Sequence, residues 1–229
     1  MRALYIHLPR AIVLGIAVLL ALALFSFIRF AVIDRLAASA MAPALFGRTI
    51  VIDPGHGGWD PGMSGISGSR EAEVNLGISK KLAEYCRQGG ANVIMTREND
   101  TALADTKAED MEKRVQLAAD GDIFISIHCN SYPGQHGAQV FYEKGSTAGQ
   151  ALAECVQSSI GGKLGNTDRT AMIHRDSYLL KHIDGAAVIC ETGFLSDQAE
   201  EGLLQDENYQ WEMAQAIFSG IVDYLTGAA

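Results

Sequence analysis

The sequence predicts an α/β fold, in which a mostly parallel or mixed sheet of six strands lies between two layers of helices. Two observations favour this three-layer αβα sandwich. Apolar strands alternate with amphipathic helices from Arg48 onward. Several strands are apolar without alternation, as expected when helices cover both faces of a sheet. A third observation, a long apolar run near the N-terminus, predicts one transmembrane helix before this domain.

Six short apolar runs are predicted to be the strands of the sheet. They lie at Thr49–Ile52, Asn92–Met95, Ile123–His128, Ala138–Phe141, Tyr178–Leu180 and Ala187–Glu191. Four amphipathic segments are predicted to be helices. They lie at Glu71–Gln88, Asp105–Ala119, Ser146–Ile160 and Asn208–Leu225. The third helix is expected to stop at Gly161 and Gly162, because glycine is a frequent signal of a helix end.

The first helix carries a predicted buried stripe formed by Val74, Ile78, Leu82 and Tyr85. Glu71 lies three residues before Val74 and extends the same stripe. Because burying an unpaired charge is costly, a carboxylate at this position must be paired, hydrogen-bonded or metal-bound. The N-terminus of the helix also favours a negative charge there.

The apolar run Ala11–Ile28 is about as long as a helix that crosses a bilayer. A cleavable signal peptide, with the small residues Ala38–Ala40 as its cleavage site, is the alternative, but signal peptides usually have a shorter apolar region. We therefore expect residues 1–30 to be a membrane anchor or uncleaved signal, 31–47 a connector, and 48–229 the catalytic domain. Either alternative sends the remainder out of the cytoplasm, although basic residues on both flanks make the topology weakly determined by charge.

The composition limits the classes of function. A chain of 229 residues with 48% hydrophobic and 20% charged residues has room for one substantial globular domain. The net charge of −9 argues against nucleic acid as a partner, because no basic surface is available to neutralise phosphates. The four cysteines are too scattered for a disulfide framework or a structural zinc site, so they are predicted to be buried thiols.

Three strand ends carry ligating or basic side chains. His56 lies on a glycine-rich loop after the first strand, His128 ends the third, and Glu191 ends the last. Open α/β sheets place their sites beyond the carboxyl ends of the strands. With Glu71, the two histidines form a His/Glu/His set of the kind that a hydrolytic zinc site uses, with the fourth position left to water. Glu191 remains free to act as a general base.

Each of these residues also has a structural interpretation. A histidine after a strand is more often a hydrogen-bonded structural residue than a ligand, a glutamate that opens a helix interacts with the helix dipole, and Glu191 could form a buried ion pair. The coincidence of all four at one sheet edge favours a site. Asn130 is a candidate to orient a ligand or the substrate. Arg114 is a candidate for the same roles, although a structural salt bridge is the stronger interpretation.

The chain resembles the zinc-dependent N-acetylmuramoyl-L-alanine amidases of the third amidase family. Four blocks over about Arg48 to Leu225 carry the resemblance. They are Asp53-Pro54-Gly55-His56-Gly57-Gly58, Glu71 at the following helix start, Ile125-Ser126-Ile127-His128-Cys129-Asn130, and Glu191-Thr192-Gly193-Phe194-Leu195-Ser196. The resemblance implies that His56, Glu71 and His128 bind one Zn²⁺ per chain and that Glu191 activates water. The substrate it implies is the amide between N-acetylmuramic acid and L-alanine in peptidoglycan.

The order of a membrane helix followed by one catalytic domain resembles the germination-specific amidases of spore formers, as does the stretch Lys107–Val115. That resemblance implies a role in spore cortex maturation through muramic-δ-lactam formation. It also implies a membrane-anchored protein with its catalytic domain on the cell-wall side, in the forespore intermembrane space, or secreted if the N-terminal segment is cleaved. An activating protein partner or a homodimer stays open.

Two other functions are compatible with the same residues. One is a zinc carboxypeptidase or aminopeptidase acting on cell-wall peptides, because related α/β sheets carry similar ligand sets. The other is an inactive peptidoglycan-binding regulator, which would be expected to lack a ligand or the base. The sequence retains all four candidate residues.

Overall fold

The computed structural model describes residues 17–21, which are helical, and residues 44–228. The chain divides into two compact units, Met1–Met41 and Ala42–Ala229. Apart from residues 17–21, the predicted transmembrane segment Ala11–Ile28 lies outside the described residues, as does most of the predicted connector. Within the part of the chain that is described, no helix has both the length and the apolarity needed to cross a membrane.

The second unit is built on a mixed sheet of six strands, as predicted. The strands are β1 (Thr49–Pro54), β2 (Asn92–Met95), β3 (Ile123–Asn130), β4 (Gln139–Tyr142), β5 (Met172–Ile173) and β6 (Ala186–Phe194). Their order across the sheet is β2-β1-β3-β6-β4-β5. The first four strands in this order are parallel to one another, β4 is antiparallel to β6, and β5 is parallel to β4. The carboxyl ends of β1, β3 and β6 therefore lie at one edge.

Within residues 49–228, six helices accompany the sheet. They are α1 (Glu71–Gln88), α2 (Lys107–Ala118), α3 (Thr147–Leu164), α4 (Tyr178–His182), α5 (Gln198–Gln205) and α6 (Glu207–Thr226). Helix α6 packs against α1 and α3, which cover one face of the sheet, while α2 packs against α4. The side chains of Val51, Phe124 and Ile189 form a buried cluster with Leu179 and Leu180 of α4 on this second face. The predicted layered arrangement follows from these contacts.

The predicted strand at Tyr178–Leu180 is wrong. These residues begin α4, because the Ser177 hydroxyl accepts a hydrogen bond from the Leu180 N–H and so caps a helix. Both Leu179 and Leu180 are buried, which a strand with one covered face would not explain. The strand at the sheet margin is instead β5, which pairs with β4.

Two helix predictions also need correction. Helix α3 continues through Gly161 and Gly162 to Leu164, and the next residue, Gly165, caps it with a left-handed φ of 59°. Helix α5 is absent from the prediction. Asp197 caps it by accepting hydrogen bonds from the N–H groups of Ala199 and Glu200. The prediction that the four cysteines are buried thiols is confirmed.

Candidate active site

The four residues singled out at strand and helix ends meet at one edge of the sheet. His128 and Glu191 are partners in the register of the parallel pair β3 and β6, so their side chains lie side by side. His56 follows β1 by two residues, and Glu71 is the first residue of α1. The parallel order of β1, β3 and β6 therefore explains why residues far apart in sequence converge.

Glu71 lies between the two histidines. Its Oε1 is 3.2 Å from His56 Nε2 and 3.0 Å from His128 Nδ1. The histidine rings meet edge to face, with centroids 4.9 Å apart. One ligating atom from each of the three residues lies within 4.8 Å of the others. Tetrahedral ligands at about 2.0–2.1 Å from Zn²⁺ stand roughly 3.3 Å apart, so the set can hold a metal with small adjustments.

The carboxylate of Glu71 is almost completely buried and is held in its charged form. Burial alone would raise the pKa of Glu71, but hydrogen bonds and positive charge from His128 and His56 hold the pKa well below its usual range. The Met63 N–H donates to Oε2 at 2.8 Å and the Cys129 N–H donates to Oε1 at 3.2 Å. A deprotonated carboxylate fixed on both oxygens is suited to ligate a cation.

Two glycines leave the space that this cluster occupies. A Cβ at Gly55 would overlap the His128 ring. At Gly62, where φ is 68°, a Cβ would lie 2.6 Å from Glu71 Oε2 and 2.7 Å from His56 Cδ2. His56 itself has a φ of 62°, the one positive value at a non-glycine residue among the described positions. The loop thus accepts backbone strain to aim the imidazole at Glu71.

Asp60 fixes the other side of the His56 ring. Its Oδ2 lies 2.9 Å from His56 Nδ1 and also pairs with Lys107 at the start of α2. Burial would raise the pKa of Asp60, but the hydrogen bonds from Lys107 and His56 lower it to about 2. A carboxylate on the second ring nitrogen fixes the tautomer and orientation of a ligating histidine. Asp60 was not predicted from the sequence, although a carboxylate four residues after His56 was an available signal.

Glu191 lies beside this set without ligating contacts. Its Oε2 is buried and has no hydrogen-bond partner within the described structure. Burial, together with the negative charge of Glu71, raises the pKa of Glu191 to about 7, although His128 and His56 oppose the shift. A carboxylate with this pKa and an unpartnered oxygen is suited to exchange a proton with a bound reactant.

Comparison with known proteins identifies the family to which this chain belongs. The profile of the family described as N-acetylmuramoyl-L-alanine amidase matches residues 50–223. The chain belongs to this family. It is 37% identical over 194 residues to the germination-specific N-acetylmuramoyl-L-alanine amidase of Bacillus subtilis (strain 168), an alignment that covers 80% of this chain and 81% of that protein.

Solved structures of this amidase family share the fold. The structure of the CwlD amidase from Clostridioides difficile in complex with the GerS lipoprotein matches with a TM-score of 0.74 and 34% identity. This match covers 79% of the present chain and 100% of that one. An N-acetylmuramoyl-L-alanine amidase from Clostridium difficile 630 matches with a TM-score of 0.72 and 31% identity, covering 80% of this chain and 98% of that one.

Arg114 is a buried residue that stabilises the amidase site. Only 1% of its side chain is exposed, and it pairs with Asp53 at 2.6 Å and with Asp110 at 2.8 Å. The same guanidinium donates to the backbone carbonyl of His56 at 2.8 Å. Thr96 and Ser126 donate to the remaining positions of the Asp53 carboxylate. Arg114 therefore holds the loop that carries His56, and its burial leaves no surface for substrate.

Arg97 is a second buried arginine of the amidase domain, and sequence reasoning missed it. It donates to the carbonyl groups of Pro54, Gly55 and Ala72, which ties the His56 loop to the start of α1. Burial lowers the pKa of Arg97 to about 10. Its position two residues after β2, the strand next to β1, was the available signal.

Asn130 does not contact the metal-ligand set in the structure. Its Oδ1 accepts a hydrogen bond from the Ser131 N–H at 2.8 Å, and its backbone carbonyl accepts one from the Leu195 N–H. The register between β3 and β6 shifts at this point, between His128 and Asn130. A contact between Asn130 and substrate stays a prediction.

Proposed function

We propose that this chain is a zinc-dependent hydrolase that cleaves the amide between N-acetylmuramic acid and L-alanine of peptidoglycan stem peptides, with one Zn²⁺ per chain. The observation that carries the proposal is the pairing of a His/Glu/His set with an unligated glutamate. His56, Glu71 and His128 supply three ligands, and Glu191 stands beside them with a buried, unpartnered oxygen. Membership of the amidase family supports the choice of bond.

The residues around the set fit a zinc ion. Two nitrogens and one carboxylate oxygen are typical of a catalytic zinc site with an open fourth position. When bound, Zn²⁺ polarises a carbonyl and lowers the pKa of a coordinated water to about 7. Asp60 fixes the orientation of His56 through the ring nitrogen that faces away from Glu71, so His56 would need little reorganisation to hold the metal.

Glu191 performs the proton transfers in the proposed reaction. As water attacks the amide carbonyl carbon, the Glu191 carboxylate accepts a proton from it. The carbon–nitrogen bond then breaks, and Glu191 delivers the same proton to the departing amine of L-alanine. The raised pKa of Glu191, about 7, suits both steps, because the group must gain and lose a proton at similar cost.

Digestion of purified peptidoglycan by the full chain tests this proposal. We expect zinc-loaded protein to release intact stem peptides with new L-alanine amino termini, as seen by mass spectrometry. Glu191→Gln should retain zinc and lose about 10²–10⁴-fold in rate, while Glu154→Gln, at an exposed position of α3, should remain active. Loss of a terminal amino acid from the stem peptide would instead favour a carboxypeptidase or aminopeptidase. Zinc-loaded protein that binds sacculi without releasing product would favour an inactive regulator.

We also propose a role in spore cortex maturation through muramic-δ-lactam formation, with the enzyme anchored to the membrane by its N-terminal segment and acting on the cell-wall side. The similarity to a germination-specific amidase supports this role. Muropeptide profiles of spores with and without the gene test it. Unchanged muramic-δ-lactam would refute the cortex role and leave the amidase chemistry untouched.

A protein partner is the last part of the proposal. The CwlD relative was solved in complex with a lipoprotein, which supports an activating partner for this chain over a homodimer. Light scattering of the purified full chain, alone and with candidate wall-side lipoproteins, separates the two. A stable homodimer that is fully active without any partner would contradict the preference.

A further inference from the structure

Arg169 lies in the segment between α3 and β5 and is anchored at the edge of the candidate active site. Its Nε donates to the His136 carbonyl at 2.8 Å, and its Nη1 donates to Gln139 Oε1 at 3.1 Å. Its Nη2 donates to Gln135 Oε1 at 2.8 Å. The guanidinium also stacks over the Phe194 ring, with its Cζ 5.1 Å from the ring centroid. The hydrogen bonds hold the edge of the guanidinium, and the Phe194 ring packs against its face.

The sheet register places Gln139, which holds Arg169, opposite the general base. Gln139, which accepts one of its hydrogen bonds, is the β4 partner of Glu191 in the antiparallel pair with β6. Directly opposed residues in such a pair point to the same face, with Cβ atoms about 4.5–5.5 Å apart. Gln139 therefore connects Arg169 to the strand position opposite Glu191, on the side of the site opposite β1.

The charge of Arg169 is not neutralised by its neighbours. All three groups that accept its hydrogen bonds are neutral, and no carboxylate of the described residues lies within ion-pair distance. Arg114, by contrast, pairs with two aspartates. A guanidinium has five N–H donors, so two remain on Arg169, which is partly exposed. A planar fork with spare donors is suited to a carboxylate.

We propose that Arg169 binds a carboxylate on the peptide portion of the substrate and so determines preference for acidic stem peptides. This inference rests on the proposed amidase function. Because Glu191 delivers its proton to the departing amine, the peptide portion lies on the Glu191 side of the cluster. An extended chain advances about 3.5 Å per residue, so the peptide residues that follow L-alanine extend toward the β4 side, which carries Arg169. The chain has a net charge of −9, which repels an acidic peptide, and a cation at the site offsets this repulsion locally.

Paired substrates test the proposal on the zinc-loaded full chain. The two probes are N-acetylmuramoyl tripeptides whose second residue is D-glutamate or D-isoglutamine, which differ by a carboxylate against a carboxamide. We expect Arg169→Gln to lower kcat/KM on the acidic substrate by about 10–100-fold, mainly through KM, because one charge-assisted contact is lost. On the amidated substrate the variant should match the wild type. Arg169→Lys should recover part of the loss.

Controls separate recognition from folding. Arg87→Gln removes the same charge at the far end of α1, where Arg87 forms a surface pair with Glu98, and should change neither substrate. Zinc content should be equal in all variants. An equal loss on both substrates would overturn the proposal and make Arg169 a structural anchor of the 135–137 loop. Unchanged kinetics on the acidic substrate would overturn it as well.

A direct binding measurement keeps this inference separate from the proposed function. If the wild type cleaves neither probe, the amidase proposal fails. Calorimetric titration of the acidic and amidated probes then decides the role of Arg169 alone. Tighter binding of the acidic probe that disappears in Arg169→Gln supports the role, and equal binding of both probes by the wild type refutes it.

Discussion

The two sides of the candidate active site are built differently. On the β1 side, Arg97 and Arg114 are almost completely buried and hold the His56 loop through ion pairs and backbone carbonyls. On the β4 side, β5 has only two residues, Met172 and Ile173, and both are substantially exposed. On this side, Arg169 donates hydrogen bonds only to neutral acceptors.

This difference indicates a division of tasks. Metal ligands require fixed geometry, and buried charge networks supply it because every member must be satisfied. A substrate-binding margin requires accessible donors, which a short edge strand and a partly exposed arginine provide. If the division is correct, changes on the β1 side reduce metal binding or stability, and changes on the β4 side leave the metal in place.

Glu71→Gln should give the largest effect. The amide retains the shape but removes the negative charge that both histidines contact. We expect zinc affinity to fall by more than about 100-fold, since outer partners of ligands alone cost about 10–100-fold. Metal analysis after dialysis against a weak chelator measures this. Glu73→Gln is the matched control, because Glu73 lies two residues away with a 60% exposed side chain. Equal zinc content in both variants would contradict the role of Glu71.

Arg114→Met should lower the free energy of unfolding by about 3–5 kcal/mol, because it leaves the Asp53 carboxylate buried without its cation. Urea unfolding of the full chain measures the change. Lys113→Met, at the exposed neighbouring position, should stay within about 0.5 kcal/mol of the wild type. Partial recovery in Asp53→Asn/Arg114→Met would confirm the cause. A wild-type midpoint for Arg114→Met alone would show that the network does not stabilise the β1 side.

The pH dependence of stability tests the burial of Glu191. Its pKa rises from 4.5 to about 7 on folding, so the folded chain keeps a proton that the unfolded chain releases between these values. Ionisation of the buried Glu191 therefore destabilises the fold. This destabilisation is absent below pH 4.5 and complete above pH 7, where it is on the order of 3 kcal/mol. In metal-free protein, Glu191→Gln should therefore match the wild type at low pH and become more stable as pH rises to 8. A pH-independent difference between the two would contradict the raised pKa.

Gly162→Ala should give the smallest effect, a slight gain in stability at every pH. Gly162 lies inside α3, which packs against β4 and β6, and a Cβ there meets no atom within 4 Å. Alanine should stabilise the chain by about 0.5–1 kcal/mol because glycine is a poor helix former. Thermal unfolding measures the shift, and zinc content and activity should not change. A loss of zinc would show that the β4 side is coupled to the metal site.

Much of the fold could be predicted because the strands of the parallel core are nearly continuous apolar runs with clear helices between them. The four residues His56, Glu71, His128 and Glu191 were found for the same reason, since each stands at the end of a strand or the start of a helix. The structure brings them together, and the resemblance to a known family supplied their roles.

The parts that the sequence did not predict depend on capping or on long-range contacts. The apolar residues 178–180 form the first turn of α4 because the Ser177 hydroxyl caps the helix. The binding of Arg97 to carbonyls of β1 and α1, and that of Arg169 to Gln139, join residues 25–43 positions apart, which no local periodicity encodes. Helix α5 was overlooked because its eight residues are too short for a clear pattern.

The position of Glu71 between two histidines has a consequence for folding. The three proposed ligands come from a loop, a helix start and a strand end, with His128 separated from Glu71 by 57 residues. An unfolded chain therefore cannot gather them, and a metal that binds the set selects the folded state. By mass action, free metal at 1,000 times its dissociation constant would add about 4 kcal/mol to the stability of the fold. The supply of metal would thus influence how much of this enzyme is folded, as well as how much of it is active.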